Sequence, residues 1–469
     1  MLGSVSRSGP PLPRERMDEL LTSPGNLLTA SRKRGAPRGH MRHSAIPPMP
    51  KDPRRELDLL RDDTGPLGFL LWRIISDVLL WTGCPPDQRA GLFRYAREGR
   101  GEPQAYATLA APELREPLRV LLTVSVTPEL ADASAVAEAC ARVVEWADGQ
   151  GMKETAVQFA EAAARAQSDS SPFAFISARL CRRLGEHQRS AVWYRRALRL
   201  ARRTQADGIR FSEVDFANAQ LGFGNLLTDL GRFPDAEPHF WKALKAALRA
   251  GRKSLAGSAH HNLLLVTVHM ERWPEAIEHA REAVMLYKDG HPRFPLLAFD
   301  VAYLWCRQGY YSSALPVFEK ILPWLEHQRE RILVLASLAR SAAAVRDHIR
   351  YVRAAREVLA LAAVDTEMTA SALYHLAEGA RFFHEWEKSE QFARHALELA
   401  HTRKNATVIG LAERLLEVLN TKQPGDLDLV PEEGDSVDTT REMILRKLQK
   451  QPVPDLSSGT VPPERFPTF

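Results

Sequence analysis

One spacing of small and aromatic residues recurs six times along the chain. A small residue is followed four positions on by a small or aromatic one, and three positions further by a third small or apolar one. The copies are Ala156/Ala160/Ala163, Ser190/Tyr194/Ala197, Ala236/Phe240/Ala243, Ala276/Ala280/Ala283, Ala314/Phe318/Ile321 and Ser389/Ala393/Ala396. Offsets of 0, 4 and 7 fall on one stripe of an α-helix, where small side chains let a second helix approach closely. In four copies an aromatic stands three residues before the first stripe position, at Phe233, Trp273, Tyr311 and Trp386. A glycine marks the preceding turn at Gly185, Gly231 and Gly309. Units of this kind are helix–turn–helix pairs that cannot bury their faces alone and must stack.

The first stripe positions are separated by 34, 46, 40, 38 and 75 residues. The last gap has room for a degenerate copy near Val352, so the spacing predicts about seven pairs. The most complete copy has Gly224 in its first helix and Leu230-Gly231-Arg232-Phe233-Pro234-Asp235-Ala236 at the turn, with Phe240 and Ala243 in its second helix. It resembles the tetratricopeptide repeat family across roughly 133–420. That resemblance implies an all-α, right-handed solenoid in which the first helix of each pair lines a concave groove. Most of the gaps exceed the family period of roughly 34 residues, which predicts longer helices or longer connections.

The rest of the chain divides around this array. Residues 1–55 are rich in Pro, Gly, Ser and Arg and carry eleven Lys/Arg against four Asp/Glu, a basic tail read as disordered. Residues 56–130 read as a helical leader of three helices (67–81, 87–97 and 112–126) that caps the array. Ala406–Asn420 reads as a capping helix at the far end. Residues 421–469 carry six Lys/Arg against nine Asp/Glu, an acidic tail read as disordered apart from one possible short helix at Thr439–Gln451. The formal net charge of +5 therefore comes from the N-terminal tail and not from a basic folded face. The four cysteines, Cys84, Cys140, Cys181 and Cys306, are far apart in sequence and form no CxxC, which predicts a reducing, cytoplasmic setting. The most apolar segment, Leu67–Trp81, holds Arg73 and Asp77 and reads as a packed helix, so no membrane association is expected.

No enzyme signature survives inspection. Gly222-Phe223-Gly224 lacks the third glycine of a dinucleotide loop and the strand before it. His384-Glu385 opens like a zinc-protease motif, but Lys388 stands where the second histidine belongs. The expectation is therefore no catalytic residue, no cofactor and no metal, and a non-enzymatic scaffold, bacterial in style, that binds a protein or peptide partner. Alignment on the turns places Arg179, Arg182, Asn225, His261, Tyr303, Arg307, Tyr374 and Arg381 in the groove. Arg and Tyr are the residue types that dominate recognition hot spots. Two other classes remain open: a signal-responsive regulator whose repeats sense a peptide, and nucleic-acid binding through the basic arm at Arg32-Lys33-Arg34.

Overall fold

In the computed structural model, the described residues are 58–93, 111–202, 212–325, 328–362, 368–403, 405–421 and 435–450. The basic segment 1–55 and the rest of the acidic tail lie outside them. Every regular element among the described residues is helical. The leader contributes α1 (Pro66–Gly83) and α2 (Pro112–Val126). Seven pairs follow: α3 (Ala133–Gly149) with α4 (Lys153–Ala166), α5 (Ser171–Arg183) with α6 (His187–Ala201), and α7 (Glu213–Asp229) with α8 (Phe233–Arg249). Next come α9 (Lys253–His269) with α10 (Trp273–Leu286), α11 (Phe294–Arg307) with α12 (Tyr311–Ile321), α13 (Gln328–Ala344) with α14 (His348–Ala362), and α15 (Thr369–Phe382) with α16 (Trp386–Arg403). The described chain ends with α17 (Ala406–Thr421) and α18 (Asp435–Gln449).

The stripe is the packing surface throughout. All eighteen of its residues are at most 2% exposed. The degenerate copy sits one residue earlier than the sequence suggests, at Tyr351/Ala355/Val358, and these too are buried. The turns are equally regular. Two residues before the second helix of each pair the backbone enters the left-handed region, at Gly151, Gly185, Gly231, Glu271, Gly309, Arg346 and His384. The next residue's N–H then reaches back to a carbonyl five residues earlier, as in Arg232 to Leu227 (2.8 Å), Arg272 to Thr267 (2.9 Å) and Asp347 to Ala342 (2.8 Å). These are Schellman-type helix ends, which satisfy carbonyls that would otherwise be orphaned. The long period lies partly in the helices, with α7, α8 and α9 running 17 residues each against 13 and 15 in α5 and α6, and partly in the connections, since α6 ends at 201 and α7 starts at 213.

The chain divides into two units, residues 11–255 and 256–469. In the N-terminal unit, α1 packs on α2 and α4. Its apolar face, including Leu71, Ile75, Val78 and Trp81, is buried. Trp81 Nε1 donates to Pro128 O (2.8 Å), and Ser125 Oγ donates to the buried Asp77 (2.6 Å). Asp62, ahead of α1, accepts from the backbone N–H and the hydroxyl of Thr155 at the start of α4 (2.7 and 2.9 Å), which ties the leader to the first pair. The helix expected over 87–97 is instead a short 3-10 turn, Pro86–Gly91, and residues 94–97 lie outside the described chain.

In the C-terminal unit a single apolar core runs through α10 to α15, and a second joins α15, α16 and α17. The reading of the acidic tail as disordered needs correction over 435–450. There α18 packs against α10, α11 and α12 and puts Val437, Ile444 and Leu448 into the core. These three lie at offsets 0, 7 and 11, one face of a helix. The basic residues of α18 secure it. Arg441 Nη1 donates to Ser313 Oγ (2.9 Å), Lys450 Nζ to Asp289 Oδ2 (2.9 Å) and Lys447 Nζ to Tyr287 O.

Candidate functional site

The first helices carry a recurring position eight residues before the start of the second helix that is polar or Tyr in most pairs, while α9 has Leu265 there. Arg179, Asn225, Tyr303, Arg340 and Glu378 occupy it, ahead of His187, Phe233, Tyr311, His348 and Trp386. In the N-terminal unit Arg179 is exposed and Asn225 is half-buried. Arg182 Nη1 pairs with Asp229 Oδ2 across α5 and α7 (2.7 Å), and Arg183 Nη1 pairs with Asp148 across α3 and α5 (2.8 Å). Partly exposed pairs of this kind contribute about 0–1 kcal/mol each. They tie successive first helices together more than they hold the unit folded.

In the C-terminal unit the corresponding residues converge. Helix α13 packs on both α11 and α15, which brings three first helices side by side. Tyr303 on α11 stacks on Phe299, with centroids 6.1 Å apart, and meets the edge of His375 from α15 at 6.3 Å. Arg307, exposed at the end of α11, lies over the Trp273 ring at 5.7 Å. Arg340 on α13 and Glu378 on α15 form an ion pair, Nε to Oε2 2.9 Å, with side chains only 11% and 8% exposed. Arg340 also points Nη2 at Tyr311 Oη (3.4 Å). Arg381, one turn beyond Glu378, is 9% exposed.

Electrostatics follow from this crowding. Burial, with Arg340 and Arg307 beside it, pushes the His375 imidazole down to about 3, so the ring is neutral. Burial also lowers the Arg381 guanidinium, an effect that Glu378 opposes. His269 at the end of α9 is lowered by burial and by Arg307.

Two of the residues placed in the groove by sequence belong to cores. His261 is fully buried. Its Nε2 lies 2.6 Å from Asp300 Oδ2, and Tyr287 Oη, which contacts Ser258 Oγ at 3.1 Å, is 3.5 Å from its Nδ1. Burial pushes the imidazole down and the Asp300 carboxyl up, so both directions favour uncharged partners. His261 stands twelve residues before Trp273, and the same position elsewhere carries Phe175, Leu221 and Phe299, which marks it as a packing position. Tyr374, also twelve residues ahead of its second helix, has its ring in the core shared with α16 and α17 and its phenol hydrogen-bonded to Glu378. It positions that carboxylate. Sequence reasoning missed Arg340 and His375. The signal for Arg340 was present: counting back eight residues from the degenerate copy's second helix lands on it.

Among the described residues no helix is long and apolar enough to cross a membrane, and no three His, Cys, Asp or Glu side chains are grouped to hold a metal. No family model and no curated protein matches the chain. Solved structures of repeat proteins resemble it in fold. Aspartyl phosphate phosphatase F from Bacillus subtilis is similar at 15% identity and a TM-score of 0.39, over 81% of this chain and 90% of that one. A signal transduction ATPase with numerous domains from Pyrococcus horikoshii, PH0952, which carries a tetratricopeptide repeat sensor, is similar at 13% identity and a TM-score of 0.45, over 79% and 55%. PilF of Pseudomonas aeruginosa is similar at 17% and 0.39, over 50% and 95%. Likenesses this distant carry nothing about a partner. What defines the class is internal to the structure: seven helix pairs with one shared turn and one shared buried stripe, the architecture of an all-α tetratricopeptide-like repeat protein.

Proposed function

We propose that the chain is a non-enzymatic interaction module that binds a protein or peptide partner on the first-helix face of its C-terminal unit. The observation that carries this reading is the convergence of Tyr303, Arg307, Arg340 and Arg381 from three adjacent helices. Packing is left to the buried stripe and to apolar residues, so Tyr303 and Arg307, the more exposed of these side chains, can recognise a partner without holding up the fold. Arg and Tyr in such a setting are the usual anchors of interfaces. The widely separated cysteines, three of them buried, suit a cytoplasmic protein. The basic arm lies outside the described residues, and the nucleic-acid reading rests on it alone.

The test is quantitative affinity capture with the full chain. Proteins enriched on the wild type should be lost on Tyr303→Ala and Arg307→Ala, whose thermal unfolding should stay close to wild type. A hot-spot residue typically contributes about 2 kcal/mol or more to binding. Undiminished capture by both variants would overturn the reading. Release of a captured protein by a short peptide would assign the sensor version of the same face.

A further inference from the structure

The cluster at α11, α13 and α15 holds more positive charge than it neutralises, and this bears on the chemistry of the bound partner. The inference rests on the interaction face proposed above and names one contact within it. Arg340 pairs with Glu378 at 2.9 Å, Arg381 lies one turn beyond Glu378 on α15, and Arg307 lies one turn beyond Tyr303, whose ring meets the edge of His375. That sets three guanidiniums against one carboxylate, and His375 is neutral.

The hydrogen bonding is incomplete as well. Arg340 Nε and Glu378 Oε2 are 2.9 Å apart, yet their angles leave neither atom with a formed hydrogen bond. Arg381 Nε is buried with no hydrogen-bond partner, and so is His375 Nδ1. The two residues are 9% and 5% exposed. Buried donors normally find acceptors, and one left unmet costs free energy that an incoming acceptor recovers. A guanidinium also prefers two parallel contacts to an oxyanion over one poorly aligned contact.

We infer that Arg340 and Arg381, with Arg307 at the rim, form an oxyanion subsite that takes one carboxylate or phosphate group of the bound partner. Glu378 occupies the subsite from within the protein while the partner is absent. The incoming anion competes with Glu378 for Arg340 and supplies the acceptor that Arg381 Nε lacks. Tyr374, hydrogen-bonded to Glu378, offers the displaced carboxylate a place to rest.

The test uses the full-length protein labelled with nitrogen-15 at arginine, titrated at constant ionic strength with inorganic phosphate and, in parallel, with N-acetylglutamate amide. The side-chain Nε–Hε signals are followed, with chloride as the control. A saturable shift of a small set of arginine signals is expected with at least one anion. Saturation by phosphate alone assigns a phosphorylated residue, and saturation by the acetylglutamate amide alone assigns an acidic side chain. Arg381→Ala should weaken the response at least tenfold, Arg381→Lys should keep part of it, and Glu378→Gln should tighten it several-fold by removing the internal competitor. A merely structural ion pair would predict no gain in Glu378→Gln. Circular dichroism checks that each variant is folded. Responses that never saturate, or an unchanged response in folded Arg381→Ala, would overturn the subsite. If the subsite fails in this way while capture remains sensitive to Tyr303→Ala, the interaction face still stands. Anion saturation with no capture sensitive to Tyr303→Ala is the reverse outcome.

Discussion

A Cβ built on Gly379 in α15 would lie 2.7 Å from Cε2 of Tyr351 in α14. Tyr351 fills the first stripe position, which is alanine or serine in the other six pairs. Gly379 stands seven residues before the next second helix, where the other pairs from α5 onward carry Leu180, Leu226, Val266, Leu304 and Ser341. A large residue on one helix is matched by the smallest on its neighbour, which keeps the spacing of the stack. Gly379→Ala is therefore expected to overpack the contact and cost ~1–3 kcal/mol in urea unfolding. Adding Tyr351→Ala should make the glycine substitution nearly harmless, a coupling that a double-mutant cycle measures directly. Gly410 in α17 is the control: nothing lies within 4 Å of its built Cβ, so alanine there should stabilise by ~0.5–1 kcal/mol. Equal effects at the two glycines would sink the packing account.

The turns give a prediction of opposite signs. Glu271 and Gly309 hold the same place before α10 and α12, with φ of 58° and 86°. A side chain in the left-handed region is strained and glycine is not. Glu271→Gly should raise stability by ~0.5–1 kcal/mol, and Gly309→Ala should lower it by about the same amount. Two shifts in the same direction would contradict the shared turn geometry.

Helix α18 is docked by few residues, so it should be separable from the array. Ile444 and Leu448 are fully buried. Truncating either to alanine should cost about 2–5 kcal/mol of docking free energy. Amide hydrogen exchange in α18 would then accelerate sharply while α13 and α15 keep their protection. Unaltered exchange in α18 would mean that these contacts do not hold it.

Acid should weaken the fold well above the range in which ordinary carboxylates titrate. Burial, aided by Lys242 at His239, Arg293 at His291 and Arg340 at His375, holds these imidazoles down to about 4, about 4 and about 3, against an ordinary 6.5. Below pH 6.5 the unfolded chain takes up protons that the folded chain refuses, so stability falls as pH drops from about 6.5 toward 4. The urea midpoint is expected to be lower at pH 5.5 than at pH 7.5, with part of the difference removed in His375→Gln. A flat profile over that interval would show that these histidines titrate alike in both states.

The sequence was most informative where a single side chain reports its own environment through spacing. Alanines at offsets 0, 4 and 7 can face only another helix, which made the stripe, the pairing and the count of pairs readable before any coordinate. The three turn glycines were readable because L side chains avoid positive φ. Glu271, Arg346 and His384 adopt the same conformation without that signal, and only the structure reveals them.

Recognition residues were harder, because a polar side chain on a helix has the same spacing whether it meets solvent, a core partner or a ligand. The structure sets Tyr303 and Arg307 on α11 and Arg381 on α15. His261 is no groove residue, because Asp300 and Tyr287, 39 and 26 residues away, satisfy it in the core. Arg340 and His375 joined the cluster only once α13 was set between α11 and α15, and α18 became ordered only by burying Val437, Ile444 and Leu448 against helices far away in sequence. By itself the sequence determined the helices of the repeat array, their pairing and the buried stripe, since these depend on contacts within a few turns. Only the tertiary structure decided which charges meet, which histidine stays neutral and where the last helix rests. Those outcomes depend on burial and on partners brought together from distant parts of the chain, and no local spacing encodes them.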